Sequence, residues 1–158
     1  MASSEYGQYG LFSQTTEYAL RAVVYLAAGK GEPRTAAQLA QATRVPPGYM
    51  AKVMQGLSRA GLVHSQRGLH GGFVLTRRPE DLTVLDVVQA VEPLQRIRGC
   101  PLGLKGHANL CPLHRRIDQA IALVEDALRR STIAELLIEP SASRGIPVPL
   151  CPVPEEIR

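Results

Sequence analysis

Apolar residues recur at three- and four-residue spacing along several stretches of the chain, the period of an amphipathic helix. From about Thr15 to Ala28, Tyr18, Ala19, Ala22, Val23 and Leu26 share one face, and Gly29-Lys-Gly31 marks the stop. Thr35-Ala-Ala-Gln38 has the form of a capping box, which predicts a short helix over about Ala36–Ala42. After a turn at Thr43–Val45, Pro46 and Pro47 suit the first turn of a third helix, where a missing N–H is no loss. Met50, Val53, Leu57 and Ala60 form its expected buried stripe and Gly61 its end; Gly48, Ala51, Lys52, Gln55 and Arg59 fall on the open face. Leu62–Gln66 and Phe73–Thr76 read as short strands around a glycine-rich tip. Thr83-Val-Leu-Asp86 begins a fourth helix, about Val84–Val91. Pro93 to Leu110 has no clean period and is expected to be a loop. Pro112 opens a long helix to about Arg130, along which Leu113, Ile117, Ala120, Ile121, Val124 and Leu128 form a stripe. Such a stripe near the end of a small domain predicts a dimer seam. Thr132-Ile-Ala-Glu135 caps a last short helix.

The pattern divides the 158 residues into a leader (1–12), a body (13–92), a loop (93–111), a long helix with a short terminal one (112–139), and a proline-rich tail (140–158). The expected class is mainly α. An apolar content of 45% is ample for a packed core. No run of apolar residues is long enough to span a membrane, and the N-terminus has neither the basic nor the apolar region of a signal peptide. A cytoplasmic location, with thiols kept reduced, is therefore expected. Three cysteines are too few for a disulfide scaffold. No phosphate loop, paired carboxylates or base with its orienting partner points to an enzyme.

Net charge, +4, is mild, but its distribution is not. The segment from Pro33 to Pro79 holds seven Lys or Arg and no Asp or Glu, and so makes a focused positive field. It coincides with helix, turn, helix and hairpin in the order of a winged helix-turn-helix domain, whose second helix enters the major groove of double-stranded DNA. The candidate contact set is Thr35, Pro47, Gly48, Tyr49, Lys52, Gln55 and Arg59 on the helices, and Arg67, Gly68 and His70 on the wing. Gln can pair bidentately with adenine and Lys with guanine, while an arginine at a wing tip suits a narrow minor groove. Arg34, Arg44, Arg77 and Arg78 would position the protein on phosphates. Tyr49 could equally belong to the core, and the whole basic run could be a solvated face.

Several segments together carry a resemblance: Thr16-Glu-Tyr-Ala-Leu-Arg21, Val45-Pro-Pro-Gly-Tyr-Met50, Arg59-Ala-Gly-Leu-Val63, Arg67-Gly68 with Gly71-Gly-Phe73, Leu85-Asp-Val-Val88 and Cys111-Pro-Leu-His114. From about Thr15 to Leu137 the chain resembles the IscR/NsrR-type (BadM/Rrf2-like) family of bacterial iron–sulfur transcriptional regulators. The resemblance implies a homodimeric winged helix-turn-helix protein that binds a palindromic operator. It also implies an iron–sulfur cluster in the loop before the long helix, with one ligand from the first helix of the other subunit.

Cys100, His107, Cys111 and His114 are the donor-bearing residues of that region. The family's middle cysteine is absent, and His107 stands closest to its place. The remaining pattern, similar to RsrR-type 2Fe–2S redox sensors, uses two cysteines with a Glu and a His from the partner's first helix. Glu17 matches the acidic position, whereas Arg21 replaces the histidine. The implied ligands are Cys100, Cys111 and Glu17, with His107 or His114 as the fourth. Mixed ligation favours a 2Fe–2S over a 4Fe–4S cluster, since few thiolates are on offer. The implied function is a repressor responding to redox state, nitric oxide or iron–sulfur status. Open alternatives are a structural zinc on the Cys and His residues, or a Cys100–Cys111 disulfide switch without metal. Glu17 could instead only complement its helix N-terminus. Cys151, among prolines, reads as an uninvolved thiol.

Overall fold

The computed structural model describes residues 10–100, 103 and 110–138. The expected tail with Cys151, most of the leader, and His107 lie outside the described residues.

The first helix, α1 (Gln14–Ala28), starts at Ser13, whose hydroxyl accepts from the Thr16 amide at 3.3 Å. The expected face of α1 is buried, and α1 sits at the centre of the core. At the N-terminus of α2 (Ala36–Thr43), Thr35 and Gln38 close the capping box in both directions. Arg44 adopts a left-handed φ of 54°, and the Val45 amide returns to the Ala40 carbonyl at 3.0 Å. That tight turn, with Val45 buried, holds α2 against α3 (Pro47–Arg59). Met50, Val53, Met54 and Leu57 of α3 are buried. Ala60, expected in that stripe, is exposed at the end of α3; Met54 takes its place, because 50, 53, 54 and 57 complete one helical face.

The hairpin consists of β1 (Val63–Gln66) and β2 (Gly72–Leu75), antiparallel, with Val63 opposite Leu75 and Gln66 opposite Gly72. Leu62, expected to open the strand, is buried just outside the ladder, its amide bonded to the Leu57 carbonyl at 3.0 Å. The backbone of Arg34 extends the hairpin: the Phe73 amide donates to the Arg34 carbonyl at 2.7 Å, and the Arg34 amide donates back to the Phe73 carbonyl at 3.1 Å. Gly72 permits this approach, since a Cβ there would lie 2.5 Å from the Arg34 carbonyl carbon.

A short 3-10 turn at Pro79–Asp81, not anticipated from the sequence, leads to α4 (Val84–Val91), capped reciprocally by Thr83 and Asp86. Residues 93–100 are neither helix nor strand, as expected of the loop. The long helix α5 (Pro112–Arg130) has no buried residue, with Leu113 63% and Leu123 73% exposed. The chain returns to the body through α6 (Ile133–Ile138): Val84 donates to Ser131 at 2.9 Å and Ile133 to Leu82 at 2.8 Å. Ile133 is buried in the core. The architecture is mainly α, a helix-turn-helix with a small wing and a long helix carried on its C-terminal side. Among the described residues no helix is long and apolar enough to cross a membrane.

Candidate nucleic-acid interface and sensor loop

The turn at Arg44 fixes which face of α3 is open. Pro47, Gly48, Tyr49, Lys52, Gln55 and Arg59 are all exposed. Tyr49, 52% exposed, is not a core residue; its ring packs edge-to-face on Tyr18 of α1, centroids 6.0 Å apart. The Lys52 ammonium lies 5.9 Å from the Tyr49 ring centre, so one face of the tyrosine steadies a cation on the open surface. Thr35 is exposed, and its hydroxyl, while accepting from Gln38, keeps its proton to donate. Arg67, Gly68 and His70 are exposed around the wing tip, where Gly68 has φ of 120°. Leu69, between them, is 95% exposed. Leucine by itself signals core, and only the place of Leu69 between Gly68 and His70 points to exposure in the sequence.

The basic segment is less uniform in space than along the chain. Carboxylates just outside it fold back onto its edges: Glu32 holds Arg34 at 2.6 Å, Asp81 holds Arg78 at 2.8 Å and Asp86 meets Arg77 at 3.4 Å. Among the described residues no carboxylate pairs with Arg44, Lys52, Arg59 or Arg67. The uncompensated positive charge is thus concentrated on the turn, α3 and the wing.

On the sensor side, Cys111 is the residue preceding α5, and its side chain makes no capping bond. Its Sγ lies 3.2 Å from Nδ1 of His114, one turn on. Cys100 and Cys111 are free thiols, each half-buried. Among the described residues, no group of three or more His, Cys, Asp or Glu side chains converges within the single chain. Glu17 lies apart, on α1, where Arg21 binds it at 3.0 Å. Arg21 also donates to the Thr43 carbonyl at 3.4 Å, at the turn between α2 and α3. Two thiols, a neighbouring imidazole and a separate carboxylate suit borderline metals and iron–sulfur centres, and an incomplete single-chain set suits one completed by a second chain or by loop residues.

The start of the loop is anchored at two points. The Thr16 hydroxyl, fully buried, donates to Glu92 at 2.8 Å, and hydrogen bonds from Ser13 and Thr16 hold the Glu92 carboxyl below its ordinary pKa. Four residues on, Arg96 forks onto Asp118 of α5 through two bonds of 2.7 Å. That fork, with the Ile97 amide at 2.9 Å, pulls the Asp118 pKa down to about 2.

The family model for Rrf2, described as an iron-dependent transcriptional regulator, matches residues 12–139. A protein of Aquifex aeolicus (strain VF5), assigned as an HTH-type transcriptional regulator, is 30% identical over 131 residues, covering 80% of this chain and 91% of that protein. The structure is similar to that of CymR, the global cysteine regulator of B. subtilis, with TM-score 0.65, 26% identity, and coverage of 79% and 94% of the two chains. It is equally similar to T. potens IscR, with TM-score 0.66, 25% identity, and coverage of 80% and 85%. The chain belongs to the Rrf2 family of winged-helix, DNA-binding transcriptional regulators.

Proposed function

We propose that the chain works as a homodimeric repressor of a palindromic promoter site, its DNA affinity set by a 2Fe–2S cluster at the loop before α5. The observation that carries this reading is the Cys111–His114 pair, 3.2 Å apart and unused by the helix cap, at the head of a helix with no buried residue. Cys100 and Cys111 supply thiolates, His114 or His107 an imidazole, and the partner subunit's Glu17 a carboxylate. When bound, such a cluster supplies one-electron redox chemistry and a centre open to oxidants, nitric oxide and loss of iron. The chain's own residues relay the state. Committing Glu17 to the other subunit's loop takes it from Arg21, whose guanidinium also touches the helix-turn-helix turn at Thr43. An exchange of partners at Glu17 therefore biases the element that aims α3. On the DNA, Lys52 and Gln55 face base edges, Arg67 and His70 enter the adjacent groove, and Thr35, Arg44 and Arg59 hold phosphates.

The test uses anaerobically purified protein and a promoter fragment selected from random sequence. Oxidant or iron chelation should change the affinity of the parent protein by about tenfold or more, a typical coupling between sites. Cys100→Ala and Cys111→Ala should remove that response. Retention of the full response by both variants would sink the reading. A zinc site or a metal-free disulfide switch, the other two readings, would give a colourless protein without sulfide; iron and sulfide quantitation separates them from the cluster.

A further inference from the structure

Residues 93–100 form no helix or strand, yet Arg96 is tied more firmly than an ordinary surface arginine. Its Nε and one terminal nitrogen bond the two carboxylate oxygens of Asp118, each at 2.7 Å. The next residue, Ile97, donates its backbone amide to the same carboxylate at 2.9 Å. The remaining nitrogen of Arg96 lies 3.6 Å from Glu125, two turns further along α5 and on the same face. Glu125 is held in turn by Arg129 at 2.8 Å. A lone exposed ion pair contributes little, but a bidentate fork with a backbone amide and a second carboxylate fixes geometry as well as charge. The Asp118 side chain, 18% exposed, is shielded enough for that geometry to persist.

We propose that Arg96 and Asp118 are positioning residues that pin the start of the loop against α5 and thereby hold Cys100 within reach of Cys111. The inference rests on the proposed role of these cysteines as the loop's donors and names the device that presents them. From Ile97 to Cys100 is three residues, a reach of about 11 Å when extended. From Asp118 back to Cys111 is seven helical residues, a rise of about 10 Å. An extended segment running back along α5 from the clamp would bring Cys100 level with the head of the helix. There the chain turns, the Gly103 amide donating to the Cys100 carbonyl at 3.0 Å with Gly103 at φ 62°. Without the clamp, the nearest fixed point before Cys100 is Leu94, six residues back, which packs against the core.

The test needs no cluster. In the metal-free full chain carrying Cys151→Ser, Cys100 and Cys111 are equilibrated with reduced and oxidised glutathione. Two protein thiols become one disulfide, and their two electrons and two protons pass to glutathione disulfide, giving two glutathione thiols. The equilibrium constant reports the effective concentration of one thiol at the other. Doubling the tether should lower it about threefold in Arg96→Ala and in Asp118→Asn. The double variant should fall no further, because both changes break one device. Arg130→Ala, which removes a separate ion pair with Asp126 on α5, should leave the constant unchanged. Unchanged constants in both single variants, with helix content retained by circular dichroism, would overturn the proposal. If either single variant fails to fold, Arg96→Lys decides: it keeps the charge but loses the fork, so a parental constant counts against the clamp and a lowered one supports it. A lowered constant in a protein that never acquires visible absorption on reconstitution would keep the clamp and discard the cluster.

Discussion

Arg21 and Asp118 show how single side chains join distant segments of the molecule, and Arg44 how one residue shapes a turn. Arg21 spans Glu17 and the Thr43 carbonyl, so one guanidinium connects a proposed ligand to the turn of the DNA reader. Arg44 occupies a left-handed conformation that glycine or asparagine more often fills, while its charge has no carboxylate partner among the described residues. Among the described residues, Asp118 is a carboxylate held well below its ordinary range. Its folded pKa of about 2 lies below the ordinary value of 3.8, the Arg96 fork being the first cause. A depressed carboxylate stabilises the fold fully above the unfolded pKa, and loses that contribution as pH falls through the folded one. Glu92, depressed by bonds from Ser13 and Thr16, acts in the same direction. The thermal midpoint should therefore fall between about pH 4 and pH 2, and Asp118→Asn should flatten part of that fall while leaving the rest. Identical acid profiles for the parent and Asp118→Asn, followed by circular dichroism, would remove the clamp's share.

At the scale of elements, local signals and their outcomes agree where the chemistry is local. The capping boxes at Thr35, Thr83 and Thr132 start α2, α4 and α6 as read, because each box needs only residues three apart. The departures arise where a distant segment decides. Tyr49, for which contact surface and core were both open, is exposed on α3, and its contact with the Tyr18 ring of α1 is one that the sequence does not announce. Arg34 becomes the third line of the wing because Gly72 lets two backbones approach, a contact across 38 positions that no periodicity announces. Gly72→Ala should consequently strain this junction by about 1–3 kcal/mol, the range for overpacking or a forced backbone. Hydrogen exchange at the Arg34 and Phe73 amides should accelerate and DNA affinity should drop. Parental protection at both amides would show that the wing accommodates the methyl group by shifting.

For the molecule as a whole, α5 poses a problem of exposed surface. Its stripe from Leu113 to Leu128 contains no buried residue, and Ile117 is 41% exposed. A leucine or isoleucine side chain gains about 1.5–3 kcal/mol on full burial, so several along one helix favour a second copy over water. The proposed dimer accounts for this face and for the separation of Glu17 from the cysteines. Ile117→Glu should yield a folded monomer in sedimentation experiments, with parental helix content and much weaker binding to a two-half-site operator. A parental sedimentation coefficient for this variant would place the dimer seam elsewhere.

Periodicity, caps and glycines in the sequence alone determined the helices, the turn and the hairpin, since these depend on residues within a few positions of one another. The acid-free segment likewise singled out the proposed DNA-facing half, and the family resemblance pointed to Cys100 and Cys111 as candidate ligands. Only the tertiary structure decided which charges remain available, because Glu32, Asp81 and Asp86 lie outside that segment and neutralise its edges in space. It also decided where the loop is anchored. Arg96 and Asp118 are 22 residues apart, with no local pattern relating them, and their pairing follows from the loop's lying along α5.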